Sequence, residues 1–151
     1  MILRARWVLP VASPPIENGE VIIEDGFIEA VRPSVPGTTD ALEFGDAVLL
    51  PGLINAHTHL ELTLMRGLLE DVDFFPWVRQ LTTRKAALTP EDWKASATWG
   101  AIEAAAGGVT TIGDCTDSGA ALDGALAVGL GGVIYQEVFG IDPCRSVNAI
   151  M

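Results

Sequence analysis

Histidine and cysteine are scarce in this chain, with two of each in 151 residues. The cysteines, Cys115 and Cys144, are too few for a disulfide framework and lack the paired spacing of a zinc knuckle, so a reducing, cytoplasmic setting is expected. Both read as small buried hydrophobes, not nucleophiles. Positive charge is also sparse: nine Lys and Arg stand against 20 Asp and Glu, for a formal net charge of −11. Nucleic acids and anionic membranes need clustered cations to displace counterions, so both are excluded as partners, and phosphorylated ligands are disfavoured. No uncharged apolar run reaches the roughly 18 residues of a membrane span, because Glu103, Asp114, Asp117 and Asp123 interrupt the Ala- and Gly-rich half. The N-terminal MILRARWVLPVAS pairs arginines with an apolar run, but that run is too short for a signal peptide and is broken by Pro10.

What the chain has in quantity is apolar surface. Hydrophobic residues make up 49% of it and mean hydropathy is +0.35, enough for a sizeable core and a sign that much of the chain is built to lie inside something. Residues 2–9 read as a strand, followed by the turn Ser13-Pro14-Pro15. Two β-branched runs at 20–23 and 27–31, joined by Glu24-Asp25-Gly26, predict a hairpin. After a Pro- and Gly-rich loop, a last strand at 47–50 leads into Pro51-Gly52. Residues 53–56 are a short apolar run leaving that turn, as a buried strand would.

Beyond a long connection at 61–87, Thr89 caps a helix with Pro90 at its first position and Asp92 three residues after the cap, ending at Gly107-Gly108. A strand at 109–113, a helix capped by Ser118 and running to Val128 but weakened by Gly124, and a strand at 133–139 complete a βαβ rhythm, which predicts an α/β fold with a parallel sheet.

Both histidines fall in one tripeptide, His57-Thr58-His59. On a strand they share a face, and with a rise of about 3.3 Å per residue their Cα atoms lie roughly 6.6 Å apart, so two imidazoles can converge on one ion. The plainer alternative is a polar pair at a strand end, satisfied by backbone or water.

The β-rich leader ending in PGLINAHTHLE resembles the amidohydrolase superfamily, in its branch of hydrolytic deaminases and chlorohydrolases, over residues 1–140. The resemblance implies a TIM-type (β/α)8 barrel beside a small β-sandwich, with one divalent metal at the C-terminal mouth of the barrel. Zinc is the first expectation and iron the second, with His57 and His59 as two of the ligands. It also implies that metal-activated water attacks a carbon bearing an amino or chloro group on a small heterocyclic or nucleoside-like compound, while a carboxylate shuttles the proton. The family's other ligands and its proton shuttle come from later strands, and no residue here matches them.

Residues 1–50 are then expected to form part of the sandwich, and 51–151 about the first three βα units of a partial barrel. A complete barrel takes about 250 residues, so the expectation is a truncated chain, inactive alone. CRSVNAIM at the end continues no convincing helix, which suggests a frame broken or a fragment ended near Pro143. The alternative is a non-catalytic remnant or assembly module. An exposed strand edge would then favour a homo-oligomer or pairing with another chain.

Two residues are candidate substrate contacts. Glu61 shares the strand face of the histidines by alternation, and either accepts hydrogen bonds from substrate amines or is a salt-bridged rim residue. Trp77 either stacks on a heteroaromatic ring or packs in a helix face with Phe74, Val78 and Leu81 at i, i+3, i+4, i+7 spacing. Asp114 and Glu137, near strand ends, are expected as a hydrogen-bond acceptor or helix N-terminal residue and as a mouth-lining residue, with a catalytic role the alternative for each.

Overall fold

The computed structural model describes residues 1–37 and 40–137, in two compact units, Met1–Pro51 and Gly52–Met151. The first is a single sheet of β1 (Ile2–Val8), β2 (Ile16–Glu24), β3 (Phe27–Pro33), β4 (Ala41–Glu43) and β5 (Val48–Leu49). Its order is β3-β2-β1-β4, with β5 also on β1. The β2–β3 hairpin turns at Asp25 and Gly26, both at positive φ (50° and 83°), the backbone that a tight turn matched to strand twist requires. The strands run longer than the β-branched runs suggest, and β4 carried no clear signal. Glu20 on β2 is fully buried between Arg32 Nε at 2.8 Å and Arg4 Nε at 3.0 Å. The hydrogen bonds from Arg32 and Arg4 hold its carboxyl below the usual range.

The second unit runs β6 (Leu53–Thr58), a 3-10 helix (Leu60–Met65), α1 (Phe74–Lys85), α2 (Pro90–Ala106), β7 (Val109–Thr116), α3 (Ala120–Val128) and β8 (Gly131–Gln136). Its three strands are parallel in the order β6-β7-β8, so the chain is a mixed α/β fold. Thr89 caps α2 with a reciprocal capping box, its side chain taking the Asp92 N–H while Asp92 takes the Thr89 N–H. The cap of α3 differs from expectation: Gly119, at φ 82°, occupies it, and Ser118 Oγ accepts the Ala120 N–H at 3.2 Å. Strand β8 starts at Gly131, two residues early, and ends at Gln136, so Glu137 falls just past it; residues 138 and 139 of the expected strand lie outside the described residues, as does Cys144. Among the described residues no helix is long and apolar enough to cross a membrane.

The core of this unit is Leu60, Ala97, Ala101, Ile112, Ala121 and Ala125. Its residues are mostly small because the helices meet nearly backbone to backbone: a Cβ on Gly124 would stand 2.6 Å from the Ala97 carbonyl carbon. Gly124 is therefore what lets α3 reach α2, and its helix-weakening propensity is secondary. Gly124→Ala should destabilise the fold by about 1–3 kcal/mol through forced separation of α2 and α3, seen as a lower urea midpoint. An unchanged midpoint would mean the helices are not in close contact.

Candidate metal centre

Parallel pairing brings the C-terminal ends of β6, β7 and β8 to one edge, with Thr58 beside Asp114 and Thr116 beside Gln136. His57 lies on β6, but the strand stops at Thr58, and His59 is the capping residue of the 3-10 helix at φ −132°, ψ 79°. The strand alternation expected for the pair therefore does not hold. The turn nevertheless brings the rings to 5.1 Å between centroids, at 84°. Two imidazoles bound at about 2.0–2.1 Å to one tetrahedral ion stand with centres roughly 5 Å apart, so the pair fits as half of a ligand set.

Each ring has a neighbour at Nδ1: Cys115 Sγ is 3.8 Å from His57 Nδ1, and Glu137 Oε2 is 3.8 Å from His59 Nδ1. Among the described residues no group of three or more His, Cys, Asp or Glu is arranged to hold a metal. The Cys115 thiol is pushed up by burial and by the negative charge of Glu137 and Asp114, which suits an inert thiol and not a thiolate nucleophile. Glu137 leaves β8 and ties its N–H to Thr116 O at 2.7 Å.

Asp114 on β7 is completely buried. Its Oδ2 accepts the Leu60 N–H at 2.7 Å, which pins the residue after His59, while Oδ1 has no partner among the described residues. Burial, opposed by that hydrogen bond, pushes its carboxyl up to about 6.

Glu61 is not where alternation puts it. It sits in the first turn of the 3-10 helix at 1% exposure. Oε2 receives the hydroxyls of Thr116 and Ser118 and the Ser118 N–H, and Oε1 receives the Asp117 N–H at 3.0 Å. Lys85 Nζ lies 3.9 Å from Oε1 and 2.6 Å from Asp117 Oδ2. The carboxylate is thus taken up by chain donors, and its ion pair is interior, not on a rim. These donors escaped the sequence reading, although the run Thr116-Asp117-Ser118-Gly119 after a strand is dense in groups able to bind a carboxylate.

Trp77 on α1 lines a cleft of about 400 Å³ together with His59, Thr58, Leu62, Met65 and Leu81. The expected apolar face of α1 forms only in part: Leu81 is buried, but Phe74 is 68% and Val78 36% exposed. Phe74 and Trp77 stack at 6.3 Å between ring centres.

The chain shares its fold with solved hydrolases. It matches the zinc complex of an atrazine chlorohydrolase from Arthrobacter aurescens TC1 over 99% of its own length and 40% of that chain, with a TM-score of 0.83 at 20% identity. Helicobacter pylori aminofutalosine deaminase in complex with methylthio-coformycin matches over 97% of this chain and 37% of the other, with a TM-score of 0.75 at 21% identity. The amidohydrolase family profile matches residues 48–137, and the chain belongs to that family.

Its curated relatives include a 5-methylthioadenosine/S-adenosylhomocysteine deaminase of Pyrococcus furiosus, 37% identical over 116 residues, covering 76% of this chain and 28% of the relative. A 5'-deoxyadenosine deaminase of Methanothrix thermoacetophila is 31% identical over 148 residues, covering 95% and 35%. The chain thus spans about a third or less of the length of these relatives.

Because Asp114 sits near 6 when folded, against about 3.9 when unfolded, the folded state holds its proton more tightly. The contribution of this group is therefore most favourable below about pH 4 and is lost as pH rises through 6. Asn cannot titrate, so in metal-free protein the stability of wild type relative to Asp114→Asn should decline between pH 4 and pH 7 in urea unfolding. A difference independent of pH would overturn the assignment.

Proposed function

We propose that this chain contributes the opening part of a metal-dependent hydrolytic deaminase acting on a nucleoside-like small molecule. The observation that carries this is the convergence of His57 and His59 at the C-terminal edge of a parallel sheet, within the stretch matched to the amidohydrolase family. The fold likeness supports reading Gly52 onward as about the first three βα units of a partial TIM-type barrel, where loops after the strands build the active site. It likewise supports reading residues 1–50 as part of a β-sandwich. The relatives' named substrates, 5-methylthioadenosine and 5'-deoxyadenosine, are adenosine-like, and the net charge of −11 suits a substrate without phosphate.

In this reading His57 and His59 hold a divalent ion, zinc before iron, as two of its ligands. When bound, the ion would make water nucleophilic near neutral pH. Trp77, in the same cleft as His59, offers an aromatic face to the base. Two imidazoles make a weak site, because affinity comes from three or four converging ligands. The isolated chain should therefore carry substoichiometric zinc by plasma emission and be inactive alone. Tight equimolar zinc would overturn the two-ligand account.

A second reading, a non-catalytic module that pairs with another chain or with itself, is favoured by exposed apolar residues on the outer strands of the second sheet: Leu53 and Ile54 on β6, Val133 and Tyr135 on β8. Complementation separates the two. Co-expressed with the remaining barrel and sandwich of the Pyrococcus relative, the chain should release ammonia from 5'-deoxyadenosine or 5-methylthioadenosine, and His57→Ala should reduce that release to background. Full turnover by His57→Ala would overturn the hydrolase reading.

A further inference from the structure

Glu61 is the most completely engaged side chain near the centre, yet the proposed chemistry gives it nothing to do. Its carboxylate accepts four hydrogen bonds, all from residues 116–118, the turn between β7 and α3. Lys85 supplies positive charge at 3.9 Å. The backbone around it is held as closely. The Glu61 carbonyl takes the Ser96 hydroxyl at 2.8 Å, and the same hydroxyl accepts the Leu64 N–H at 2.8 Å. Leu60 N–H goes to Asp114 at 2.7 Å.

His59, immediately before this segment, caps the 3-10 helix without a side-chain cap hydrogen bond, and its ring has the Glu137 carboxylate 3.8 Å from Nδ1. Its backbone direction is therefore set by what grips the next two residues. We propose that Glu61 is a positioning residue: by fastening the 3-10 turn to the β7–α3 turn, it aims the His59 imidazole at the point on which His57 also converges. This rests on the reading of the two histidines as metal ligands and adds to it a determinant of metal affinity that touches neither metal nor substrate. Outer supports of this kind are typically worth about 10–100-fold in metal affinity.

A change to Gln tests the idea with little change in shape. It replaces one acceptor oxygen by an NH2, which cannot accept the Asp117 N–H in one orientation of the amide or the Ser118 N–H in the other, so at least one of the four bonds is lost. The full 151-residue chain has only two histidines, so their ring signals in NMR can be assigned with His57→Ala and followed during titration with zinc ion. Glu61→Gln should shift the His59 ring signals in metal-free protein by clearly more than those of His57, which feel only the changed ring current of a neighbour 5.1 Å away. It should also weaken zinc binding at the pair by about tenfold or more, with Glu61→Asp partly restoring it.

General loosening would move both rings together, and would overturn the proposal, as would unshifted His59 signals with unchanged zinc affinity. Should Glu61→Gln fail to fold, Ser118→Ala, which removes one donor to the same oxygen, decides by the same two readouts at smaller amplitude. If zinc shifts neither ring of the wild-type chain, the metal reading itself fails and takes this inference with it. If wild type responds and Glu61→Gln responds equally, only the positioning role fails.

Discussion

A carboxylate removed from water must be surrounded by donors, because an unpaired buried charge costs several kcal/mol or more. That requirement fixes the geometry around His59. Asp114 and Glu61 are both buried, and their partners lie 54 to 57 residues away in sequence. The one donor given to Asp114, the Leu60 N–H, brings the start of the 3-10 helix against β7, and satisfying Glu61 brings the same helix against the start of α3. The first unit uses the same device in another form. There Glu20 on β2 is met by Arg4 on β1 and Arg32 on β3, and three neighbouring strands are joined by one carboxylate and two guanidinium groups.

Close helix packing lets these polar bonds form. Ser96 can reach both the Glu61 carbonyl and the Leu64 N–H only because α2 lies hard against the 3-10 helix, and Gly100 permits that approach: a Cβ there would stand 2.4 Å from Thr63 Oγ1 and 3.0 Å from the Leu60 carbonyl. Gly124 does the same between α3 and α2. Small residues bring the elements into contact and polar ones choose the register, so the direction of His59 depends on both.

Much of the fold was legible because its signals are local. The capping box at Thr89, the Asp25-Gly26 turn and the glycines closing α2 each act within a few residues, and each produced the element expected. The three-residue strand β4 was not legible, since its pairing with β1 comes from a contact 39 residues away and not from its own sequence. Nor was Gly124, whose meaning depends on Ala97 lying opposite. The family was readable from PGLINAHTHLE, where composition and spacing coincide, whereas the donors to Glu61 come from a distant turn that no pattern in the tripeptide announces.

The histidines and Glu61 show how one false premise can leave one inference standing and remove another. Alternation along a strand was applied to residues 57, 59 and 61, but β6 ends at Thr58. For the histidines the error changes little: a turn at residue 59 and a continued strand both leave two side chains, one residue apart, near a common point, and the rings do stand 5.1 Å apart. Glu61 lies two residues further into the helix, where rotation of about 100° or more per residue replaces 180°, and it swings from the cleft into the interior. Short-range spacing is thus robust to where a strand ends, and anything beyond that end is only as reliable as the boundary itself.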